Sequence, residues 1–150
     1  MTIHEESNVF NIAINGNFDD CQNLVKAMFN EKKFSETINM SGVNSINWAR
    51  IIAQSVYYFY AYFKIGNDQP LSFSVPTGNF GDIYAGYLAK KLGLPIDKLI
   101  VATNKNDILH RAISSGDYIQ KKVEETNTPS MDIQIASNFE RLLYLSLIHI

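Results

Sequence analysis

Residues 74–82, Ser-Val-Pro-Thr-Gly-Asn-Phe-Gly-Asp, constrain the fold more than any other stretch of this sequence. They follow a short apolar run at residues 71–75 and precede a helical pattern at residues 82–92, which ends at Gly93. A glycine-containing loop between a buried strand and a helix is the first part of a strand–helix–strand unit. Because such units join parallel strands through right-handed crossovers, the loop predicts an α/β protein with a parallel sheet flanked by helices.

The rest of the chain continues this alternation of strands and helices. The further predicted elements are a strand at residues 8–14, a helix from its cap Asn17 to about residue 32, a long helix from Asn44 or Ser45 to about Gly66, a strand at 99–102, a helix at 106–115 closed by Gly116, and a last helix from Ser137 or Asn138. We interpret residues 1–40, a strand plus a helix, as the end of a smaller domain. Residues 41–150 are then part of a larger α/β domain. Two or three parallel strands make a poor closed sheet, so we expect a fragment truncated at both ends.

The loop has the chemistry of a phosphate site. A helix N-terminus offers unpaired N–H groups and a partial positive charge, and both favour a bound phosphate. Gly78 and Gly81 allow the backbone to approach a ligand closely, while Thr77 and Asn79 can add side-chain hydrogen bonds. The carboxylate of Asp82 would repel a phosphate, so we expect it to cap the helix or brace the loop.

The same residues are also compatible with a glycine-rich turn that binds nothing. The loop is not a Walker A motif, since no Gly-Lys-Ser/Thr follows, and its glycine spacing differs from the dinucleotide-binding fingerprint. From the loop alone, both interpretations remain open.

Composition excludes several other classes of protein. A net charge of −2 provides no basic surface for nucleic acid or an anionic membrane, and the histidines and Cys21 lack the spacing of a zinc site. The single cysteine and the absence of a secretory pattern predict a cytoplasmic protein. The apolar run at residues 46–63 contains Arg50, so a buried helix is favoured over a membrane span.

A second candidate site lies at the start of the long helix. Asn47, Arg50 and Gln54 are spaced at i, i+3 and i+7, which places them on one stripe of an otherwise apolar helix. Arginine binds phosphate or carboxylate through two parallel hydrogen bonds, so the stripe can face a ligand. A structural contact of Arg50 with a carboxylate or a loop carbonyl is the favoured interpretation, and Asn44 and Ser45 can serve as helix caps.

Five ordered blocks resemble the threonine synthase family and extend over nearly the whole chain. They are Gly-Asn-Phe-Asp-Asp-Cys-Gln at 16–22, Asn-Ser-Ile-Asn-Trp-Ala-Arg at 44–50, Ser-Val-Pro-Thr-Gly-Asn-Phe-Gly-Asp-Ile at 74–83, Ala-Thr-Asn-Lys-Asn-Asp-Ile-Leu at 102–109, and Pro-Ser-Met-Asp-Ile at 129–133 with Ser-Asn-Phe-Glu-Arg-Leu-Leu at 137–143. Five blocks in one order are far more specific than a single glycine loop.

This resemblance implies a fold, a cofactor and a reaction. Threonine synthases have the tryptophan-synthase-β-like architecture, fold type II, and use pyridoxal 5′-phosphate (PLP). They are lyases that convert O-phospho-L-homoserine and water to L-threonine and phosphate. The resemblance places Gly78, Asn79, Phe80, Gly81 and Asp82 at the cofactor, and Asn44, Ser45, Asn47 and Arg50 become candidates for binding the substrate.

The sequence also departs from the family. The lysine that anchors the cofactor in these enzymes occurs in a Phe-Lys-Asp context, which this sequence lacks. Lys90, Lys91 and Lys105 stand in other contexts, so we assign no catalytic residue and expect the chain alone to be inactive. Residues 145–150 match nothing expected of the family.

Two alternatives remain at this stage. Serine or threonine dehydratases and cysteine synthases share the fold, but their phosphate loop is more glycine-repetitive than Gly-Asn-Phe-Gly-Asp. A non-catalytic phosphate-binding domain is the alternative from another class. The sequence predicts no oligomeric state.

Overall fold

The computed structural model describes residues 6–44, 47–66 and 68–148. Within these ranges the elements are α1 (Phe18–Asn30), α2 (Lys32–Thr37), α3 (Trp48–Ile65), β1 (Leu71–Pro76), α4 (Gly81–Lys91), β2 (Ile96–Ala102), α5 (Ile108–Ser115), a 3₁₀ turn (Pro129–Met131) and α6 (Phe139–Ile148). None of the helices in these ranges has the length and apolarity needed to cross a bilayer. The same ranges contain no group of three or more acidic, histidine or cysteine side chains that could hold a metal ion.

The predicted strand–helix–strand unit is confirmed. Strands β1 and β2 are parallel, with Val75 opposite Val101 and Pro76 opposite Ala102, and α4 connects them. Both strands therefore end at the same edge of the sheet, where the loop before α4 begins. This arrangement agrees with an α/β protein in which helices cover a small parallel sheet.

Helix α4 lies close to both the sheet and α3 because it carries a glycine on its buried side. A Cβ atom at Gly86 would lie 2.6 Å from ring atoms of Tyr58 and 2.9 Å from Leu99. The Tyr58 hydroxyl, in turn, donates a hydrogen bond to the backbone carbonyl of Asp82, at 2.8 Å. The tyrosine thus fixes α3 against the first turn of α4, directly beside the loop.

The predicted strand at residues 8–14 is wrong. The structure places these residues in irregular backbone, with Phe10 80% and Ile12 84% exposed. An extended segment needs a partner strand to pair its backbone groups, and no strand among the described residues lies beside it. Alternation of apolar residues predicted a strand here, but alternation alone cannot supply the partner.

The helix starts were predicted with mixed success. Asn17 caps α1 as expected, and its side chain accepts hydrogen bonds from the N–H groups of Asp19 and Asp20. The cap of α3 is Asn47, which replaces the predicted Asn44; Ser45 lies outside the described residues. Helix α2 was not predicted, since its charged sequence resembles a loop.

Candidate functional site

The loop between β1 and α4 is tied to the sheet at its first residue. The Thr77 N–H donates to the carbonyl of Ala102 at 2.8 Å, which extends the parallel ladder by one residue. The Thr77 hydroxyl donates to the Val75 carbonyl at 2.6 Å. These two bonds hold the end of β1, so the threonine fixes the position at which the loop leaves the sheet.

A hydrogen bond within the loop stabilises its middle part. The side-chain oxygen of Asn79 accepts a hydrogen bond from the Gly81 N–H at 2.9 Å, so it stabilises the turn into α4. Phe80, the N-cap position of α4, has φ +68°, a left-handed conformation that bulky residues rarely adopt. The N-cap residue of α4 is Phe80 and makes no side-chain cap bond, and the side chain that accepts a hydrogen bond from the first turn is that of Asn79, so the capping role suggested for Asp82 is not observed among the described residues.

Four backbone N–H groups at the loop have no acceptor among the residues that the structure describes. They belong to Gly78, Phe80, Asp82 and Ile83. Unpaired donors at the start of a helix attract anions, because the groups are already oriented and the helix dipole adds a partial positive charge. The backbone of this loop therefore fits a phosphate group, and the side chains of the loop contribute by shaping it.

A second segment, residues 131–139, packs behind the loop, and we call it the backing segment. Ile133, 2% exposed, lies so close that a Cβ at Gly78 would be 2.8 Å from its Cδ1 atom. Asn138 donates two hydrogen bonds to the carbonyl of Asn79, from its backbone N–H at 3.1 Å and from Nδ2 at 3.3 Å. Any residue larger than glycine at position 78 would have to displace Ile133.

The aromatic rings complete this contact. The ring of Phe80 is 5% exposed and meets the ring of Phe139 edge to face, with 5.1 Å between the centroids. Such pairs contribute about 0.5–1.5 kcal/mol beyond the burial of their area. The packing holds Phe80 in its left-handed conformation and directs its ring into the core, so only its backbone can reach a ligand.

A buried carboxylate anchors the backing segment. Asp132 accepts hydrogen bonds from the Thr126 hydroxyl at 2.6 Å, from Asn104 at 2.8 Å and from Asn106 at 3.1 Å. The bond from Thr126 is the main reason why the pKa of Asp132 lies below its ordinary value. The network connects the segment to residues that directly follow β2, so the sheet and the backing segment are held in one arrangement.

Helix α1 is joined to the same segment. The carboxylate of Asp19 accepts a hydrogen bond from the Gln134 N–H at 3.2 Å, and Gln22 donates to the Ser137 hydroxyl at 3.3 Å. Burial raises the pKa of Asp19, and its second oxygen, Oδ1, has no hydrogen-bond partner among the described residues. This helix is thus connected to the loop between β1 and α4 through the backing segment.

Asp82 faces α3 at the side of the loop. Burial raises the pKa of its carboxyl group, and the neighbouring Tyr58 hydroxyl offsets part of that shift. Burial also raises the pKa of Tyr58 above its ordinary value. The pair lines a cavity of about 240 Å³ together with Phe73 and Pro76.

Comparison with known proteins gives a consistent result, although no family model matches the chain. The chain is 56% identical to threonine synthase from Pseudomonas aeruginosa over 145 residues, and 54% identical to the yeast enzyme over 148. Each alignment covers 96% of this chain. The chain belongs to the threonine synthase family. It spans 31% of the Pseudomonas protein and 29% of the yeast protein.

Solved threonine synthases confirm the fold. The Brucella melitensis structure, which contains bound PLP, is 63% identical, covers 87% of this chain and has a TM-score of 0.75. The Escherichia coli structure is 39% identical over 89% of the chain, with a TM-score of 0.83. The chain covers 28% and 32% of these two structures, respectively. The predicted architecture of fold type II is therefore shown for this part of a threonine synthase.

The residues predicted to bind the threonine synthase substrate lie near the start of α3. Asn47 uses both ends of its side chain within the protein, accepting from the Ala49 N–H at 3.0 Å and donating to the Gly42 carbonyl at 2.8 Å. Arg50 and Asn44 are exposed. A cavity of about 610 Å³ opens beside this helix start, and its lining includes Lys26, Trp48, Tyr84, Ser137, Asn138 and Arg141.

Three lysines were not assigned as the cofactor anchor from the sequence. All three lie on the surface: Lys90, Lys91 and Lys105. Lys90 donates to the Asp97 carbonyl at 3.0 Å, and the ammonium of Lys91 lies 5.5 Å from the Tyr87 ring centroid. Both are near the far end of α4, about 13 Å along the helix from the loop. Lys105 is exposed in the connection after β2. That none of them anchors the cofactor stays a prediction.

Sequence reasoning did not identify the backing segment. Asn138 was predicted only as a possible helix start, and Asp132 was given no role, yet they are 1% and 7% exposed. The only signal for this segment in the sequence was the resemblance of residues 129–133 and 137–143 to threonine synthases. Their contacts with the loop join residues far apart in the chain, which local spacing does not reveal.

Proposed function

We propose that this chain forms the cofactor-phosphate loop of an enzyme that converts O-phospho-L-homoserine and water to L-threonine and phosphate with PLP. The observation that carries the proposal is the set of four N–H groups at the loop for which the described part of the chain provides no acceptor. They occur in a chain that is 63% identical to a threonine synthase structure containing bound PLP.

Each loop residue has a distinct proposed role. The N–H groups of Gly78, Phe80 and Asp82 bind the cofactor phosphate, and Gly81 keeps the backbone close to it. The side chain of Asn79 braces the turn through its bond to Gly81. Bound PLP would supply an electron sink for negative charge beside the substrate's amino group, while the protein holds it in place.

The residues that would bind the substrate are proposed from their charge and from their place in the sequence near the start of α3. Arg50, with Asn44 and Ser45, would bind the phosphate of O-phospho-L-homoserine, since a guanidinium group forms two parallel hydrogen bonds to a phosphate. Asn47 would position this helix start through its two backbone contacts.

Three further parts of the proposal concern the complete enzyme. Residues 1–40 belong to a smaller domain and residues 41–150 to a larger one. The lysine that anchors PLP is supplied by a part of the enzyme outside this sequence. The enzyme works in the cytoplasm, as the single cysteine, Cys21, led us to expect.

The decisive test is a turnover assay on the full-length enzyme with O-phospho-L-homoserine. We expect L-threonine and phosphate in equal amounts, no activity after PLP is removed, and recovery when PLP is added back. We expect the Arg50→Ala variant to raise KM about tenfold or more, because it loses hydrogen bonds to a charged group. Lys98→Ala, which removes an exposed positive charge on β2, is the matched control.

The assay can also contradict the proposal. Conversion of L-serine or L-threonine to a 2-oxo acid, without use of O-phospho-L-homoserine, would assign the enzyme to the dehydratases. An unchanged KM in Arg50→Ala would show that Arg50 does not bind the substrate. It would not contradict the proposed role of the cofactor loop.

A further inference from the structure

The peptide unit between Asn79 and Phe80 is held from behind by Asn138. The carbonyl of Asn79 accepts both the backbone N–H of Asn138 at 3.1 Å and its side-chain Nδ2 at 3.3 Å. In a trans peptide the C=O and N–H bonds point in opposite directions, and the described residues contain no cis peptide. Since the carbonyl faces Asn138, the Phe80 N–H faces away from the backing segment, towards the open side of the loop.

The orientation of the 79–80 peptide gives Phe80 an unfavourable backbone conformation. Its φ of +68° is costly for a residue with a bulky side chain. A flip of the 79–80 peptide unit would return φ to the favoured negative range and turn the N–H towards the backing segment. The two donors of Asn138 oppose this flip, because a flipped carbonyl would lose both hydrogen bonds.

The burial of Asn138 fits this role. The residue is 1% exposed, and replacing its side chain would leave the carbonyl of Asn79 with one donor fewer. Its own backbone carbonyl accepts from the Arg141 N–H at 3.2 Å, so the start of α6 is fixed by backbone contacts. The side-chain amide contributes to the loop instead.

We propose that Asn138 is a positioning residue for the cofactor phosphate: it holds the 79–80 peptide so that the Phe80 N–H donates to the phosphate. The inference rests on the proposed function, because it requires that PLP binds at this loop. Asn138 acts through the loop and does not itself contact the cofactor.

The test compares two ligands that differ only in the phosphate, PLP and pyridoxal. The full-length apoenzyme is titrated with each ligand by absorbance, for the wild type and Asn138→Ala. We expect the Kd for PLP to rise about tenfold, while the Kd for pyridoxal changes less than about twofold. Asn23→Ala, which removes a side-chain amide of the same kind at an exposed position of α1, is the matched control. Melting temperatures of the unliganded proteins report any general loss of stability.

The outcomes separate the inference from the proposed function. If Asn138→Ala weakens both ligands equally, or neither, Asn138 has no specific link to the phosphate and the inference is overturned. If Asn138→Ala does not fold, Asn138→Leu, which keeps the side-chain shape without the donors, decides between the same two results. A wild-type enzyme that binds neither ligand would overturn the proposed function, and the inference with it.

Discussion

At the scale of single residues, Phe80 combines a backbone conformation that favours glycine with a ring that packs in the core. A glycine here would relieve strain of about 1–3 kcal/mol. It would also remove a buried ring, and loss of a buried phenylalanine side chain typically costs about 3–5 kcal/mol. Because the packing term is larger, phenylalanine is the more stable choice, and the left-handed turn is maintained by its contact with Phe139.

Gly86 gives a prediction at the same scale. Gly86→Ala gains about 1 kcal/mol of helix propensity but places a methyl group 2.6 Å from the ring of Tyr58, a contact that costs about 1–3 kcal/mol. The ring is buried and tied to Asp82, so we expect a net loss of stability, measured as a lower urea midpoint. Gly42→Ala, whose new methyl group would lie 3.5 Å from Phe29, should leave the midpoint unchanged or slightly higher. Equal midpoints for Gly86→Ala and the wild type would mean that Tyr58 moves aside.

At the scale of elements, α1 depends on its first residues. The Asn17 side chain and the Asp20 carboxylate exchange hydrogen bonds with each other's backbone, an arrangement that satisfies three N–H groups at the helix start. Because Asp19 follows directly in the first turn, the cap also sets the position of the carboxylate that meets Gln134.

We therefore expect Asn17→Ala to loosen α1 specifically. Loss of the cap should cost about 1 kcal/mol, which corresponds to roughly fivefold faster hydrogen exchange at the amides of the helix. Hydrogen exchange with mass spectrometry on peptides of α1 measures this change. Asn17→Asp, which keeps an accepting oxygen, is the control and should exchange like the wild type. Equal acceleration in both variants would show that the cap contributes nothing to the helix.

Elements that depend on local patterns were predictable from the sequence, and those that depend on distant partners were not. The β1–α4–β2 unit was predicted correctly because its strands, loop and helix are each defined by neighbouring residues. The strand at 8–14 was wrong because pairing needs a partner elsewhere. The position of the loop between β1 and α4 was predicted correctly, and its role as a phosphate site stays a prediction; the donors of Asn138, 59 residues away, could not be derived from spacing.

At the scale of the whole molecule, a few polar contacts join parts of the chain that are far apart in sequence. Asp19 and Gln134 are separated by 115 residues, and so are Gln22 and Ser137. These bonds place α1 against the backing segment, which in turn contacts the loop between β1 and α4. The stability of the N-terminal part and the shape of the loop are therefore linked.

The buried carboxyl group of Asp19 predicts that the stability of the folded state depends on pH. The pKa of Asp19 is raised above 3.8 in the folded state, so folding binds protons and stability falls as the pH rises from 3.8 through the folded-state pKa. Asp19→Asn should make this fall smaller, although not zero, because the pKa of Asp82 is raised as well. Urea midpoints between about pH 4 and 8 measure the slope. Asp68→Asn, at an exposed site, should keep the wild-type slope; a wild-type slope in Asp19→Asn would contradict the prediction.

The backing of the loop by Asn138 also has a consequence for the order of events on the ribosome. Asn79 is synthesised 59 residues before its partner. At about 5–20 residues per second, the nascent chain carries the loop for roughly 3–12 s before residue 138 exists. During that interval the two hydrogen bonds from Asn138 to the 79–80 peptide are absent, so the loop reaches the arrangement seen in the structure only after the β1–α4–β2 unit has been made.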